Sequence, residues 1–256
     1  MRRPLTRHLK VDAISDLEPA FAKDNNFATK IRWLGHASFL ITSPGGVTIL
    51  LDPFGPDLGY PIPNLPKIDL LGISHDHGDH NNTSVAPGAP TVVRGASHSL
   101  WHPSTHIRRD VSLTMIGGAY HDEVTGKDRG RTALISLDVA GTRILHLGDI
   151  GHHLDVNLQA QCRGHHIVLI PIGGHFTING TTAASMIESL NGAFVIPMHY
   201  RTSNTPDMSL DTLESSKILH NQQVHRADDY EIVLSTANTH TKPKIVIPLT
   251  PCAYQH

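Results

Sequence analysis

The segment Ser74-His75-Asp76-His77-Gly78-Asp79-His80 gathers three imidazoles and two carboxylates into one short stretch. Imidazole nitrogen and carboxylate oxygen are the ligands that zinc and similar divalent ions take. His75 and His77 are two apart, so in an extended chain they point the same way. Asp79 and His80 follow as the chain turns. One tight loop can therefore offer two ligands to one cation and two to a second. The chain holds 20 histidines among 256 residues. At that frequency an HxHxDH pattern arises by chance with a probability on the order of one per cent. Its place directly after an apolar run lowers that further.

The elements that must position this loop can be read from local patterning. Residues 31–34, 38–42 and 47–52 are short strand-like runs, with Pro44-Gly45-Gly46 turning the last two into a hairpin. Five prolines between Pro53 and Pro66 exclude helix or central strand there. Residues 68–74 form a continuous apolar run, the pattern of a strand covered on both faces. Further strands are expected at 91–94, 111–119, 132–139, 143–147, 166–172, 194–197, 230–234 and 244–248. Helices are expected at 154–162, 181–190 and 209–219, the last with Ser209 as N-cap and Leu210, Leu213 and Leu219 on its apolar face. Residues 1–28 are weakly patterned and read as an arm with one short helix near 15–21. Residues 29–256 read as a single domain. The first half is strand-rich and the second alternates strand and helix, so each half is expected to supply one sheet, with helices outside.

Composition bounds the function classes. The hydrophobic fraction of 39% and a length of 256 residues allow a full core without disulfide staples. A formal charge of −2 names no polyanionic partner. Cys162 and Cys252 lie far apart and form no disulfide framework, so a reduced, cytoplasmic protein is the simpler expectation. The basic start has no apolar stretch behind it, unlike a secretory signal, and no apolar run is long enough for a membrane span. There is no GxSxG nucleophile elbow, no GxxxxGK[ST] phosphate loop and no CxxC pair.

From Ile31 to about Thr202 the sequence resembles the metallo-β-lactamase superfamily, and within it the metal-dependent hydrolases that include the ascorbate-phosphate lactonases. The resemblance is carried by an ordered set of segments. They are Trp33-Leu34-Gly35-His36-Ala37-Ser38-Phe39-Leu40, Leu51-Asp52-Pro53, the HxHxDH loop, Tyr120-His121-Asp122, His146-Leu147-Gly148-Asp149, Pro171-Ile172-Gly173-Gly174 and Ile196-Pro197-Met198-His199-Tyr200. It implies a four-layer αββα sandwich. It also implies that His75, His77 and His121 hold one metal ion, that Asp79, His80 and His199 hold a second, and that Asp149 bridges them. Zinc is the expected metal, with Mn2+ or Fe2+ as alternatives. His36, Asp52, His146 and His152 are expected beside the ligands as orienting partners. Thr132 departs from the family, which commonly has asparagine there, and so puts that part of the supporting shell in doubt.

The implied chemistry is hydrolysis. Two divalent ions sharing a water make it a hydroxide at neutral pH, and Asp79 assists by accepting from it or by protonating the leaving group. The substrate is expected to be a small molecule, a lactone or other ester first. Phosphodiester cleavage, including nuclease action, is the alternative on the same core. A non-catalytic metal-binding scaffold is the reading from another class. Arg129, Arg131 and Arg201 flank the ligand loops and are either acceptors of an anionic group or solvated surface residues. The roles of His175 and of His98, His102 and His106 are open, a second metal site at the last three included.

Overall fold

The computed structural model describes residues 28–62, 64–121, 129–192, 194–220, 222–229, 231–234 and 243–251. The expected helix near 15–21 lies outside them. In chain order the strands are β1 (Thr29–Gly35), β2 (Ser38–Thr42), β3 (Thr48–Leu51), β4 (Leu70–Ile73), β5 (Thr91–Arg94), β6 (Ser104–Arg108), β7 (Val111–Tyr120), β8 (Arg131–Val139) and β9 (Thr142–His146). Helix α1 (Val156–Cys162) leads to β10 (Ile167–Pro171), and α2 (Gly180–Leu190) leads to β11 (Phe194–Met198). Then come β12 (Gln223–Arg226), β13 (Glu231–Leu234) and β14 (Lys244–Ile247).

These strands form two sheets, ordered β13-β1-β2-β3-β4-β5 and β12-β14-β11-β10-β9-β8-β7-β6. Side chains alternate across a strand, and β1 shows it: Ile31 and Trp33 are buried while Lys30 and Arg32 are half-exposed. One large apolar cluster fills the space between the sheets, with Ile31, Phe39, Ile49 and Leu51 from the smaller sheet and Leu113, Met115, Ile135 and Leu137 from the larger. The two α-helices cap their N-termini with Asp155 and Asn179 side chains and bury Leu158, Cys162, Met186 and Ile187 into the same cluster. A smaller cluster covers the other face of the smaller sheet, where Leu34, Leu40, Leu50 and Leu71 meet Phe54, Tyr60 and Leu65 from the proline-rich loop. The layers follow the expected αββα order. Among the described residues, the layer over the smaller sheet is made of loop and two 3-10 turns, Pro56–Leu58 and Thr83–Val85.

Three expectations are corrected. The sheets do not divide the chain into halves: β6 and β7 belong to the larger sheet, and β13 returns to pair antiparallel with β1. Strands β6 and β12 occupy sheet edges in stretches not read as strands. Residues 209–219 form turns instead of a helix. There the Thr212 and Ser215 hydroxyls and amides bond one another at 2.9–3.3 Å, and Lys217 takes a left-handed conformation with φ 65°. Such local hydroxyl bonds compete with helix. Leu210, Leu213 and Ile218 are buried all the same, so the apolar spacing answers to packing and not to a helical repeat.

Candidate metal centre

The chemistry-bearing residues meet because they follow strand ends at one edge of the sandwich. Asp52 follows β3, the Ser74–His80 loop follows β4, His121 follows β7, Asp149 lies three residues past β9, and His199 follows β11. His36 stands in the β1–β2 turn. His36, Asp52 and His199 hold φ of 50°, 41° and 52°, a region side chains other than glycine seldom adopt. Each such residue costs on the order of 1 kcal/mol or more, and these residues cluster at functional sites.

Asp149 Oδ2 is the focus. His121 Nε2 lies 3.0 Å from it, His80 Nε2 3.1 Å, His199 Nε2 3.2 Å and His75 Nε2 3.8 Å. His77 completes one side, its ring centroid 4.6 Å from that of His75 and 4.5 Å from that of His121. Ligand atoms of His75, His77 and His121 lie within 4.8 Å of one another, as do those of His36, Asp79, His80 and His199. All seven residues expected as ligands thus lie close together, and a third group, Asp52, His75 and His80, overlaps the other two. His36 is an addition to the second group. Its Nε2 lies 3.1 Å from Asp79 Oδ2, and its backbone carbonyl accepts the His199 N–H at 3.0 Å.

Hydrogen bonds fix how two of the imidazoles face inward. Asp52 accepts from the Ser74 amide at 2.7 Å and from the Ser74 hydroxyl at 2.6 Å. That hydroxyl, having given its proton to Asp52, accepts from His75 Nδ1 at 2.8 Å. Asp52 also accepts from His80 Nδ1 at 3.0 Å. With both Nδ1 atoms donating, His75 and His80 turn Nε2 lone pairs to the centre, and neither Nε2 has a hydrogen-bond partner. Asp149 Oδ1 and the Nδ1 atoms of His36, His121 and His199 are likewise buried without one. A buried polar group left unpaired costs about 1–3 kcal/mol. The inward Nε2 positions of His75 and His80 beside the Asp149 carboxylate are ones a cation satisfies, so the residues present fit a bound metal.

The electrostatics agree. Burial would raise the Asp149 carboxyl, but His199, His80 and His121 hold it well below the usual carboxylate range. Asp79 is held far down in the same way, by His80 and by the hydrogen bond with His36. Burial would lower His80, yet Asp149 and Asp79 pull it well above the ordinary imidazole value, so without a cation a proton takes the Nε2 position that a metal would. Burial and then His199 push His36 down to about 4. The pocket is a fixed set of anionic oxygens that draws positive charge inward.

The remaining expected partners are placed as follows. His146 donates from Nε2 to the Ala37 carbonyl at 2.8 Å and accepts the Gly148 N–H on Nδ1 at 3.0 Å. It therefore holds the Gly148-Asp149 turn and has no nitrogen left for a metal. His152 accepts the Tyr120 N–H at 3.0 Å and donates to its neighbour's carbonyl at 2.7 Å, which fixes the backbone just before His121. Thr132 removes the doubt attached to it: its buried hydroxyl accepts the Asp149 N–H at 3.3 Å. The parts that Ser74 and Thr132 play were not foreseen, since a hydroxyl beside a strand carries no signal of its own. None of the residue groups able to hold a metal includes His98, His102 or His106 among the described residues.

Residues 30–199 match the model of the β-lactamase superfamily domain, and the chain belongs to the metallo-β-lactamase superfamily. It is 34% identical over 200 residues to a UPF0173 metal-dependent hydrolase of Hyperthermus butylicus, covering 67% of this chain and 83% of that one. A Thermococcus onnurineus protein of the same description is 31% identical over 211 residues, covering 74% and 92%. Among solved structures, a metallo-β-lactamase superfamily protein of Thermotoga maritima shares the fold with a TM-score of 0.65 at 24% identity, covering 86% of this chain and 98% of that one. At this level of kinship the protein is a metal-dependent hydrolase. Among the described residues no helix is long and apolar enough to cross a membrane.

Proposed function

We propose that the protein hydrolyses an ester or lactone bond of a small molecule with two divalent ions, zinc first, held by the seven gathered residues. The observation that carries this reading is the convergence of four imidazole Nε2 atoms within 3.0–3.8 Å of Asp149 Oδ2. His75, His77 and His121 would hold one ion, Asp79, His80 and His199 the other, and Asp149 both. Bound there, the ions supply a water activated near neutral pH and positive charge for an oxygen that becomes anionic. Asp52 and Ser74 keep the His75 and His80 lone pairs aimed inward. Asp79 is one-third exposed at its side chain whereas Asp149 is almost fully covered, so Asp79 is the carboxylate that faces arriving substrate. Ionised there, it would take the proton that the attacking water gives up and hand it on to the departing oxygen, with His36 steadying it from behind.

The ester and lactone preference follows the sequence resemblance; a phosphodiester would use the same pocket. The test pairs two variants with two substrate panels. His77→Ala and Asp149→Ala, checked for folding by circular dichroism, are expected to lose both metal and turnover. A lactone panel run against bis-p-nitrophenyl phosphate separates the bond classes. Full turnover in either variant would refute the assignment.

A further inference from the structure

Three arginines flank the ligand loops in sequence, and the fold separates them. Arg201 is exposed, and its amide is bonded to the Asp211 carbonyl. It lines a cavity of about 560 Å3 with Arg226 and Glu214 that holds none of the seven metal-centre residues. Arg131 lies over the Trp101 ring at 4.5 Å and reaches the His98 carbonyl at 3.4 Å. It pairs across the sheet with Tyr120, which turns to Trp101 and His152.

Arg129 is placed differently. Its neighbour Gly130 accepts the His121 N–H at 3.1 Å, so Arg129 adjoins the backbone of that residue. Its Nη1 donates to the His175 carbonyl at 2.7 Å, and its guanidinium lies 4.6 Å from the centre of the Phe176 ring. His175 and Phe176 belong to a loop tied to the other side of the pocket. Ile178 at the loop's far end donates to the Ile150 carbonyl, one residue past Asp149, and Ile172 at its start donates to the Met198 carbonyl, one residue before His199. The guanidinium thus ties the segment bonded to the His121 backbone to the loop that runs between the Asp149 and His199 segments. Among the described residues the acceptor it meets is a neutral carbonyl, and no described carboxylate pairs with it. A guanidinium braced on an aromatic face presents a preorganised fork of N–H donors, suited to a pair of anionic oxygens.

We propose that Arg129 is a substrate-binding residue that receives an anionic group, carboxylate or phosphate, carried by the substrate next to the bond that breaks. This rests on reading the adjacent pocket as the hydrolytic centre. The substrate is then an anionic ester or lactone, and its charge orients the reacting bond.

Isothermal titration of the metal-loaded protein tests it, using monomethyl succinate, phenyl phosphate and the neutral dimethyl succinate. Arg129→Gln keeps a donor for the His175 carbonyl and removes the charge and fork; Arg129→Ala removes all three. Arg131→Ala serves as control. The wild type is expected to bind at least one of the two anions, the response to each telling carboxylate from phosphate. Arg129→Gln should weaken that binding roughly tenfold or more with dimethyl succinate and metal content unchanged, and Arg131→Ala should leave all three ligands alone. Equal anion binding by Arg129→Gln, an equal loss in Arg131→Ala, or a wild type that binds neither anion would overturn the inference while leaving the metal centre standing. Loss of metal from both Arg129 variants would make the residue a structural latch and overturn it as well. A wild type that takes up no metal would fail the hydrolase reading itself.

Discussion

Asp52 accepts from three groups, and the proposed ligands His75 and His80 depend on it. Replacing it with asparagine keeps the shape but puts an amide where a carboxylate accepted from the Ser74 hydroxyl and His80 Nδ1. The His80 lone pair loses its enforced direction, and the relay to His75 weakens. Removing such an orienting partner typically lowers metal affinity by about 10–100-fold. Competition of Asp52→Asn against a fluorescent zinc chelator is expected to show a loss in that range; wild-type affinity would contradict the relay. At this scale the sequence was informative where candidate ligands share one short stretch, as His75, His77, Asp79 and His80 do, and the fold brings these close together. It was silent on Ser74, whose partner Asp52 is 22 residues away; His36 was expected beside the ligands, but not its pairing with Asp79, which forms only after the β1–β2 turn folds back.

Elements position these residues through a few tight points. Gly148 holds φ 52°, and a Cβ there would lie 2.5 Å from Thr132 Oγ1 and 2.8 Å from the Ala133 carbonyl. Gly148→Ala is expected to destabilise the fold by about 1–3 kcal/mol and to shift Asp149; an unchanged urea midpoint would tell against this account of the turn. In helix α1, burial pushes the Cys162 thiol up to about 12. A raised folded pKa means the contribution is complete below the unfolded thiol value of roughly 8.5 and is lost as pH rises toward the folded one. Urea midpoints of the wild type should therefore fall more steeply between pH 8.5 and 10.5 than those of Cys162→Ala, and parallel curves would contradict it. The strands with continuous or alternating apolar runs were legible within a residue or two. Strands β6 and β12 were not, because as edge strands they leave most side chains in solvent. The expected helix at 209–219 failed because its leucine spacing answers to burial against the core and the Thr212–Ser215 hydroxyl bonds favoured the turn.

Across the whole molecule, the order of the motifs was enough to expect a sandwich with its chemistry at one edge. Sheet membership was not legible, since the pairing of β13 with β1 joins segments about two hundred residues apart and no local pattern encodes it. Because the pocket collects buried lone pairs from β3, β4, β7, β9 and β11 and their loops, a metal that fills it braces both sheets. Ligands that bind only the folded state stabilise it in proportion to their affinity. Chelator treatment should therefore lower the melting temperature and readdition of zinc restore it, and an unchanged melting curve would argue that the pocket stands without metal. The most direct measurement is elemental analysis of the purified, metal-saturated protein beside His77→Ala and Asp149→Ala. About two equivalents of divalent metal per chain, with loss in both variants, is the predicted result. A wild type without metal, or variants that keep the full complement, would contradict it.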